Sequence, residues 1–479
     1  MTEALRRYVD SIKHKKIAVL GLGLSNLALL RFLKEIGAAH ITVFDRNDSA
    51  HAAAQVQRLL EEGSVSAYHL GEDYLNNIAE ERWDVIFKTP VIRPDLPQLL
   101  AAQDAGAEVT SEMEVFMRYC PARIYGITGS DGKTTTTTVL HKLLSAEGGT
   151  VYLGGNIGTP LIDRLTKIRE QDRVVVELSS FQLMHMHVSP DVSVITNITP
   201  NHLDVHKNYE EYIEAKEQIF CHQRPEGIVV LNCGNDQTRR ICHRLLQHGG
   251  HIVRCFSGAV PFPEVPGQTD GCAFIENGSL VYQGKTEFRL PLQDILLPGM
   301  HNVENYMAAV CACADTLKAQ TLQEVARTFG GVAHRMEFVR ELNGVKYYNS
   351  SIDSSPNRTI HALSVFSRRV VLIAGGKDKN IPYDALGPVL LDRVRVLILT
   401  GPTAEKIEAA LKAAAAQRGI SDPDVTVIRC EDYSQAVAAA YHAAVPGEAV
   451  VLSPASTSFD QFKNFEERGR CYKDLVQAL

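Results

Sequence analysis

Short, unbroken apolar runs alternate with amphipathic stretches along almost the whole chain. Ile17-Ala18-Val19-Leu20 has no polar break and reads as a strand buried on both faces. Residues 26–36 follow with apolar positions at helical spacing. Ile41-Thr42-Val43-Phe44 and Trp83-Asp84-Val85-Ile86-Phe87 repeat the strand pattern. Strand and helix patterns in that order predict a parallel sheet with helices on both faces, a Rossmann-like α/β domain over residues 1–110. A short helix is expected at 112–118.

The pattern then restarts twice. In residues 111–331 strands are predicted at 124–127, 151–153, 174–178, 192–196 and 228–231, with helices at 134–144 and 304–317. The Pro- and Gly-rich stretch 260–271 reads as loop, and Gly330-Gly331 as a hinge. In residues 332–479 strands at 370–374, 394–399, 425–428 and 449–452 alternate with helices at 404–416 and 434–444. Three α/β domains are therefore predicted: a Rossmann-like first, a central one built for ATP, and a Rossmann-like last.

Composition supports this. A chain of 479 residues is too long for one hydrophobic core, and 45% hydrophobic with 22% charged residues is ordinarily globular. The net charge of −7, without a long basic run, argues against nucleic acid as a partner. The first residues lack an apolar signal core, and no apolar run approaches the ~20 residues needed to span a bilayer. The ten cysteines are scattered. Only Cys311 and Cys313 are close, and no Cys-x-x-Cys pair exists, which argues against a structural zinc site and against a disulfide framework. Reduced thiols in a cytoplasmic protein are expected.

The polar positions that interrupt the pattern carry the chemistry. Between the strand at 124–127 and the next helix lies Gly126-Ile127-Thr128-Gly129-Ser130-Asp131-Gly132-Lys133-Thr134-Thr135. A glycine-rich turn there aims several backbone N–H groups, with the helix dipole, at one spot suited to phosphate. Lys133 is placed to reach the outer phosphates and the Thr134 hydroxyl to ligate Mg²⁺. The spacing departs from the common phosphate loop, because Ile127 stands where the first glycine falls. Glu177, at the end of an apolar strand, suits Mg²⁺ beside ATP phosphates, while Ser179 or Ser180 also suits a helix N-cap. His202 lies among Asn and Asp after another strand. Lys216, by its spacing alone, belongs equally to a solvated helix face.

Two further loops follow strand ends. Gly21-Leu22-Gly23-Leu24-Ser25-Asn26, with Asp45 ending the next strand, fits a dinucleotide, another anionic ligand such as a nucleotide sugar's diphosphate, or a bare strand–helix turn. The segment 452–469 mixes hydroxyls, aromatics and charges as a substrate-recognition loop does, and fits equally a capped helix start with Ser456 or Thr457 as cap.

These motifs, taken in order over nearly the whole chain, resemble the Mur ligases, ATP-dependent amide-bond-forming enzymes of peptidoglycan synthesis. The resemblance rests on Gly21-Leu-Gly-Leu-Ser25, Thr128-Gly-Ser-Asp-Gly-Lys-Thr134, Gly154-Gly-Asn-Ile-Gly158 and Glu177-Leu-Ser-Ser-Phe-Gln-Leu183. It continues through Thr196-Asn-Ile-Thr-Pro-Asn-His-Leu-Asp204, Gly299-Met-His-Asn302, His334-Arg335, Leu452-Ser-Pro-Ala and Asp460-Gln-Phe-Lys-Asn-Phe-Glu-Glu-Arg-Gly469. The last motif and the short glycine-rich start point to the branch that adds D-glutamate to UDP-N-acetylmuramoyl-L-alanine.

The resemblance implies roles by position. Gly129, Ser130, Asp131, Gly132, Lys133, Thr134, Thr135, Asn302 and Arg335 would contact ATP. Thr134, Glu177, His202 and Lys216 would hold magnesium, two ions in all. Lys216 matches a lysine carried as a carbamate in this family; that modification turns a cation into an oxygen ligand. Leu24, Ser25, Asp45, Arg46, Thr89, Asn156, Ser179 and Gln182 would hold the uridine nucleotide sugar, and Lys379, Ser458 and Phe465 the D-glutamate. Lys133, His202 and Lys216 form the expected catalytic set, and a monomer is expected. The chain departs from the family at Asn349-Ser350-Ser351-Ile352, which lacks the usual acid and lysine; Asp353 and Arg358 are the expected replacements. Val91 stands where a glycine is common. A sister ligase, a folate-polyglutamylating relative, an NAD-dependent dehydrogenase and an inactive nucleotide-binding relative are the competing readings.

Overall fold

The computed structural model describes residues 1–78, 81–184, 186–264, 269–379 and 381–479. The chain forms two compact units. One comprises Met1–Leu292 with Val303–Val325, the other Gln293–Asn302 with Ala326–Leu479.

The first unit contains two sheets. In the N-terminal one, five parallel strands stand in the order Ala67–Leu70, His40–Asp45, Lys16–Leu20, Val85–Lys88, Glu108–Thr110. The order reverses at Lys16–Leu20, so the crevice of this doubly wound sheet lies at that strand's carboxyl end, where Gly21 to Ser25 sit. The predicted strand at Trp83 starts instead at Val85; Trp83 packs edge-on against Phe44 and donates its indole N–H to the Ile78 carbonyl. The helix expected from Asn26 begins at Leu24.

The central sheet has nine strands. Six run parallel from Val151–Gly155 through Arg173–Glu177, Arg123–Thr128, Val192–Ile195 and Ile228–Asn232 to Ile252–Phe256. Gly271–Glu276 joins them in parallel, and Ser279–Gly284 and Glu287–Pro291 extend the edge as an antiparallel meander. The strand Arg123–Thr128 is central, and the chain switches direction across the sheet beside it. Residues 265–268, within the predicted loop, lie outside the described residues; the described flanks are irregular up to Asp270. The helix expected at 304–317 runs from Met300 to Cys313.

The second unit holds a six-stranded sheet in the order Glu337–Leu342, Val345–Asn349, Ala449–Leu452, Val370–Gly375, Val394–Thr400, Thr426–Arg429, antiparallel only at its first pair. Its core lies on both faces, around Leu372 and Leu397 on one side and Ile373 and Ile398 on the other. This follows from period-two alternation in strands covered by helices on each face.

Candidate active site

The phosphate loop joins the strand Arg123–Thr128 to the helix Lys133–Ala146. Two backbone positions in it require glycine. Gly129 has φ +150, and an added Cβ would stand 1.9 Å from Thr196 Oγ1; Gly132 has φ +77, and a Cβ there would meet Asn305 Oδ1 at 2.4 Å. The neighbouring strand-end loop clamps the turn. Asp131 N donates to Asn197 Oδ1 (2.9 Å), Thr196 Oγ1 to Asp131 O (2.6 Å), and Ser130 N to Asn197 O (2.9 Å). The Ser130 hydroxyl is 2.9 Å from Tyr212 Oη and 2.9 Å from the Thr199 carbonyl. Lys133 curls over the loop and donates to the carbonyls of Gly129 and Ser130, both at 2.9 Å. Thr134 and Thr135 open the helix, half-buried.

Lys216 and Glu177 meet this loop from two other elements. Lys216 is on the helix Tyr209–Cys221, capped by Asn208, and is only 1% exposed. Its Nζ donates to Gly129 O at 2.8 Å and lies 4.6 Å from the centre of the Tyr212 ring, one turn earlier on the helix. Burial, reinforced by the nearby Lys133 charge, pulls the Lys216 amine well below the usual lysine range. Among the described residues no carboxylate forms an ion pair with it. Glu177 ends the strand Arg173–Glu177, also 1% exposed. Its Oε1 accepts from Asn156 Nδ2 (2.9 Å), and its Oε2 is buried with no hydrogen-bond partner. A buried, orphaned carboxylate oxygen beside a phosphate loop is the donor a hard cation requires, so these residues fit Mg²⁺.

His202 is exposed and held at φ +55, a left-handed conformation that costs a non-glycine residue energy and concentrates at functional sites. Its ring meets Phe181 edge-on, 5.1 Å between centres. Phe181 also stacks on His206, which the sequence reading passed over. His206 is buried; its Nε2 is 3.0 Å from Ser180 Oγ, and burial pushes its pKa down. The only signal for it in sequence was its place four residues after His202.

A charge network ties the 202–208 loop and the start of the following helix to the turn after the strand Val85–Lys88. Arg93 donates to both Asp95 oxygens (2.9 and 3.0 Å), both Glu211 oxygens (2.7 and 3.2 Å) and the Val205 carbonyl (2.8 Å). Lys207 pairs with Asp95 at 2.5 Å. The hydrogen bonds from Arg93 hold the Glu211 carboxyl down at about 2.

Of the residues expected to hold the nucleotide sugar, Leu24, Ser25, Asp45, Arg46 and Thr89 lie at strand ends of the N-terminal sheet. Asp45 Oδ2 accepts from Leu22 N (2.5 Å) and Oδ1 from Asn47 N (2.7 Å), so this acid shapes the glycine loop. Leu24 is 79% exposed there, and an added Cβ on Gly21 would stand 2.7 Å from Thr89 Cγ2. Asn26, in place of a third glycine, ties Leu20 O and Gly21 O to the helix start (2.9 and 2.8 Å). Arg46 pairs with Glu72 at 2.8 Å on the surface. Ser25 lies near the buried Glu112, whose carboxyl burial pushes up to about 7, an effect the Ser25 hydroxyl partly offsets. Asn156 approaches the central sheet's Glu177 instead. Ser179 and Gln182 satisfy one another in a capping box that starts the short helix Ser180–Leu183.

In the second unit, a bridge between Lys377 and Thr457 sets the loop of exposed Lys379 alongside the loop of buried Ser458. Phe465 begins the final helix, Phe465–Ala478, its ring edge-on to His334. Arg468, quoted in the motif without a role, anchors that helix. It is 1% exposed and donates to Ser351 Oγ (3.0 Å), Ser351 O (2.8 Å) and Ser456 O (3.0 Å). Ser351 belongs to the divergent segment. Asp353 beside it is buried, accepts from Ser453 Oγ at 2.8 Å, and feels the charges of Arg358 and Arg335; burial raises its pKa. Asn302, buried, donates to Pro298 O at 2.7 Å, while Arg335 is exposed.

The chain matches three families in succession: a Mur ligase MurD-like N-terminal domain over residues 15–111, a Mur ligase middle domain over 127–313, and a Mur ligase glutamate ligase domain over 334–456. It is 45% identical to the UDP-N-acetylmuramoylalanine–D-glutamate ligase of Ruminiclostridium cellulolyticum and 46% identical to that of Acetivibrio thermocellus, covering 100% of both chains in each case. Among solved structures it shares its fold with the UDP-N-acetylmuramate-alanine ligase of Thermotoga maritima, with a TM-score of 0.53 at 16% identity, covering 97% of this chain and 100% of that one. The MurF ligase of Thermotoga maritima in complex with ADP gives a TM-score of 0.52 at 16% identity, covering 98% and 97%.

Proposed function

The chain belongs to the Mur ligase family, and from that premise we propose how its residues divide the work. The reaction is the ATP-dependent addition of D-glutamate to UDP-N-acetylmuramoyl-L-alanine in peptidoglycan precursor synthesis.

A carboxylate is a poor electrophile because its oxygen is a poor leaving group. In our reading ATP transfers its γ-phosphoryl group to the alanyl carboxylate, giving ADP and an acyl phosphate. The uncharged amine of D-glutamate then attacks the acyl carbon. The tetrahedral intermediate collapses and expels inorganic phosphate, leaving the amide. Gly129 to Thr135 present backbone N–H groups to the phosphates, and Lys133 neutralises charge on the transferred group. Thr134, Glu177, His202 and a carbamylated Lys216 would hold Mg²⁺, which supplies charge neutralisation at the phosphate oxygens. The observation that carries this is the buried pair at the loop: Glu177 with an orphaned oxygen and Lys216 with a desolvated amine resting on Gly129 O. An uncharged buried amine is the form that combines with CO₂, and the resulting carbamate removes a cation from the metal's surroundings.

Leu24, Ser25, Asp45, Arg46, Thr89, Asn156, Ser179 and Gln182 are assigned to the nucleotide sugar, Asn302 and Arg335 to ATP, and Lys379, Ser458 and Phe465 to D-glutamate, all on family position. Asp353 and Arg358 take the places of the missing acid and lysine. The enzyme is assigned to the cytoplasm, in keeping with its ten free cysteines, and to a monomer on family resemblance alone; no described helix is long and apolar enough to cross a membrane. Sedimentation at working concentration tests the monomer.

The deciding experiment is phosphate release with UDP-N-acetylmuramoyl-L-alanine across a panel of D- and L-amino acids. D-glutamate should dominate. A preference for L-amino acids or diamino acids would overturn the assignment.

A further inference from the structure

Cys233, Cys242 and Cys255 come from three elements of the central sheet. Cys233 follows the strand Ile228–Asn232, Cys242 is on the buried face of the helix Asp236–His248, and Cys255 is in the strand Ile252–Phe256. Each is fully buried. Their three sulfurs lie within 4.8 Å of one another, with Cys242 Sγ 3.2 Å from Cys255 Sγ. Apolar packing requires aliphatic volume at this point but not three sulfurs converging on one another. The strand that ends just before Cys233 and the strand that holds Cys255 are the second and third from the phosphate-loop strand, so the cluster is no part of the ligation site.

A metal–sulfur bond of about 2.3 Å in a flat three-coordinate site separates the sulfurs by about 4 Å, inside the spread seen here. A donor set of sulfur alone selects soft ions over Mg²⁺ or Ca²⁺. Zinc calls for a fourth ligand. Copper(I) is satisfied by three thiolates. We propose that Cys233, Cys242 and Cys255 form a binding site for a soft, thiophilic metal ion of the copper(I) class. Each thiol that binds releases its proton to solvent, and the metal keeps its oxidation state. Cys272 is the register partner of Cys255 on the next strand and is half-exposed, its thiol 2.9 Å from Thr269 Oγ1.

The test uses the reduced full chain under anaerobic conditions, titrated with copper(I) held by a chromophoric chelator. One equivalent should transfer to the protein, with thiolate-to-copper charge-transfer absorption and an X-ray absorption spectrum fitted by three sulfurs. Cys242→Ala and Cys255→Ala should lose that equivalent, while Cys221→Ser, at an exposed position, keeps it. Ligase activity reports whether each variant is folded; if the cavity left by alanine proves too costly, Cys242→Val restores volume without the sulfur. Failure to take copper from the chelator, equal uptake by a folded Cys242→Ala or Cys242→Val, nitrogen or oxygen in the first shell, or preference for zinc would each overturn the proposal.

Discussion

Lys133 opens the helix Lys133–Ala146 of the central sheet and rests on two carbonyls of its own loop, Gly129 and Ser130. Lys133→Ala should therefore lower turnover by roughly 10²–10³-fold or more, as removal of a group facing transition-state charge does. Affinity for the UDP-substrate, measured by calorimetry, should stay within about twofold because distant sites act independently. A large loss of that affinity would contradict the division of labour. Lys216 makes the second prediction. Its amine is desolvated and faces Lys133, so it loses its proton below the usual lysine range and is open to CO₂. Activity should fall when bicarbonate is depleted and as pH drops, since protonation removes the reactive amine. Lys216→Ala should be nearly inactive, and a short-chain carboxylate should restore part of its activity by supplying the missing oxygens. Wild-type activity in that variant would rule out any role in organising the metal.

At the scale of elements, the helix Lys133–Ala146 defies local propensity. It opens with five successive threonines, and β-branched residues lose rotamer freedom in helices. Thr137 and Thr138 donate back to the carbonyls of Lys133 and Thr134 (2.8 and 2.7 Å), and Thr136 to Asn305 Oδ1 (3.1 Å). The glycine-rich loop before it made the helix readable. By contrast, the antiparallel meander Gly271–Pro291 and the pair Glu337–Leu342 and Val345–Asn349 escaped the sequence reading. The two edge strands among them, Glu287–Pro291 and Glu337–Leu342, carry half-polar patterns, and edge strands are poorly marked by apolar runs. The loop 202–208 and the start of the helix after it are likewise held from elsewhere in the chain. Arg93→Met should cut its ties to Glu211 and Val205 while leaving the N-terminal sheet folded. The expected result is faster amide exchange at residues 203–208 with reduced kcat; unchanged exchange there would refute the tethering.

Across the whole molecule, stability should carry the mark of Glu112. Burial raises its carboxyl from 4.5 to about 7 in the fold, and its Oε2 lacks a partner. The folded state then holds a proton that the unfolded chain releases, so the stability it contributes is complete below about pH 4.5 and declines as pH rises through about 7. The difference amounts to about 3 kcal/mol for a shift of this size. Glu112→Gln should flatten urea stability between pH 5 and pH 8 relative to the parent, mostly by raising it at pH 8; an identical slope in both proteins would show that Glu112 titrates normally. Sequence by itself determined the alternation of buried strands and helices, the phosphate loop and the strand-end positions of Glu177 and His202, because each is a local pattern: periodicity, backbone conformation, or a polar residue ending an apolar run. Tertiary structure decided what depends on contacts between distant segments. Lys216 reads from its neighbours as a surface lysine, and only packing of its helix against Thr128 and Gly129 buries it. Cys233, Cys242 and Cys255 have no metal spacing along the chain, and only the parallel register of two strands beneath one helix brings their sulfurs together. Burial and proximity are properties of the folded core, where desolvation acts on groups that the linear order keeps apart.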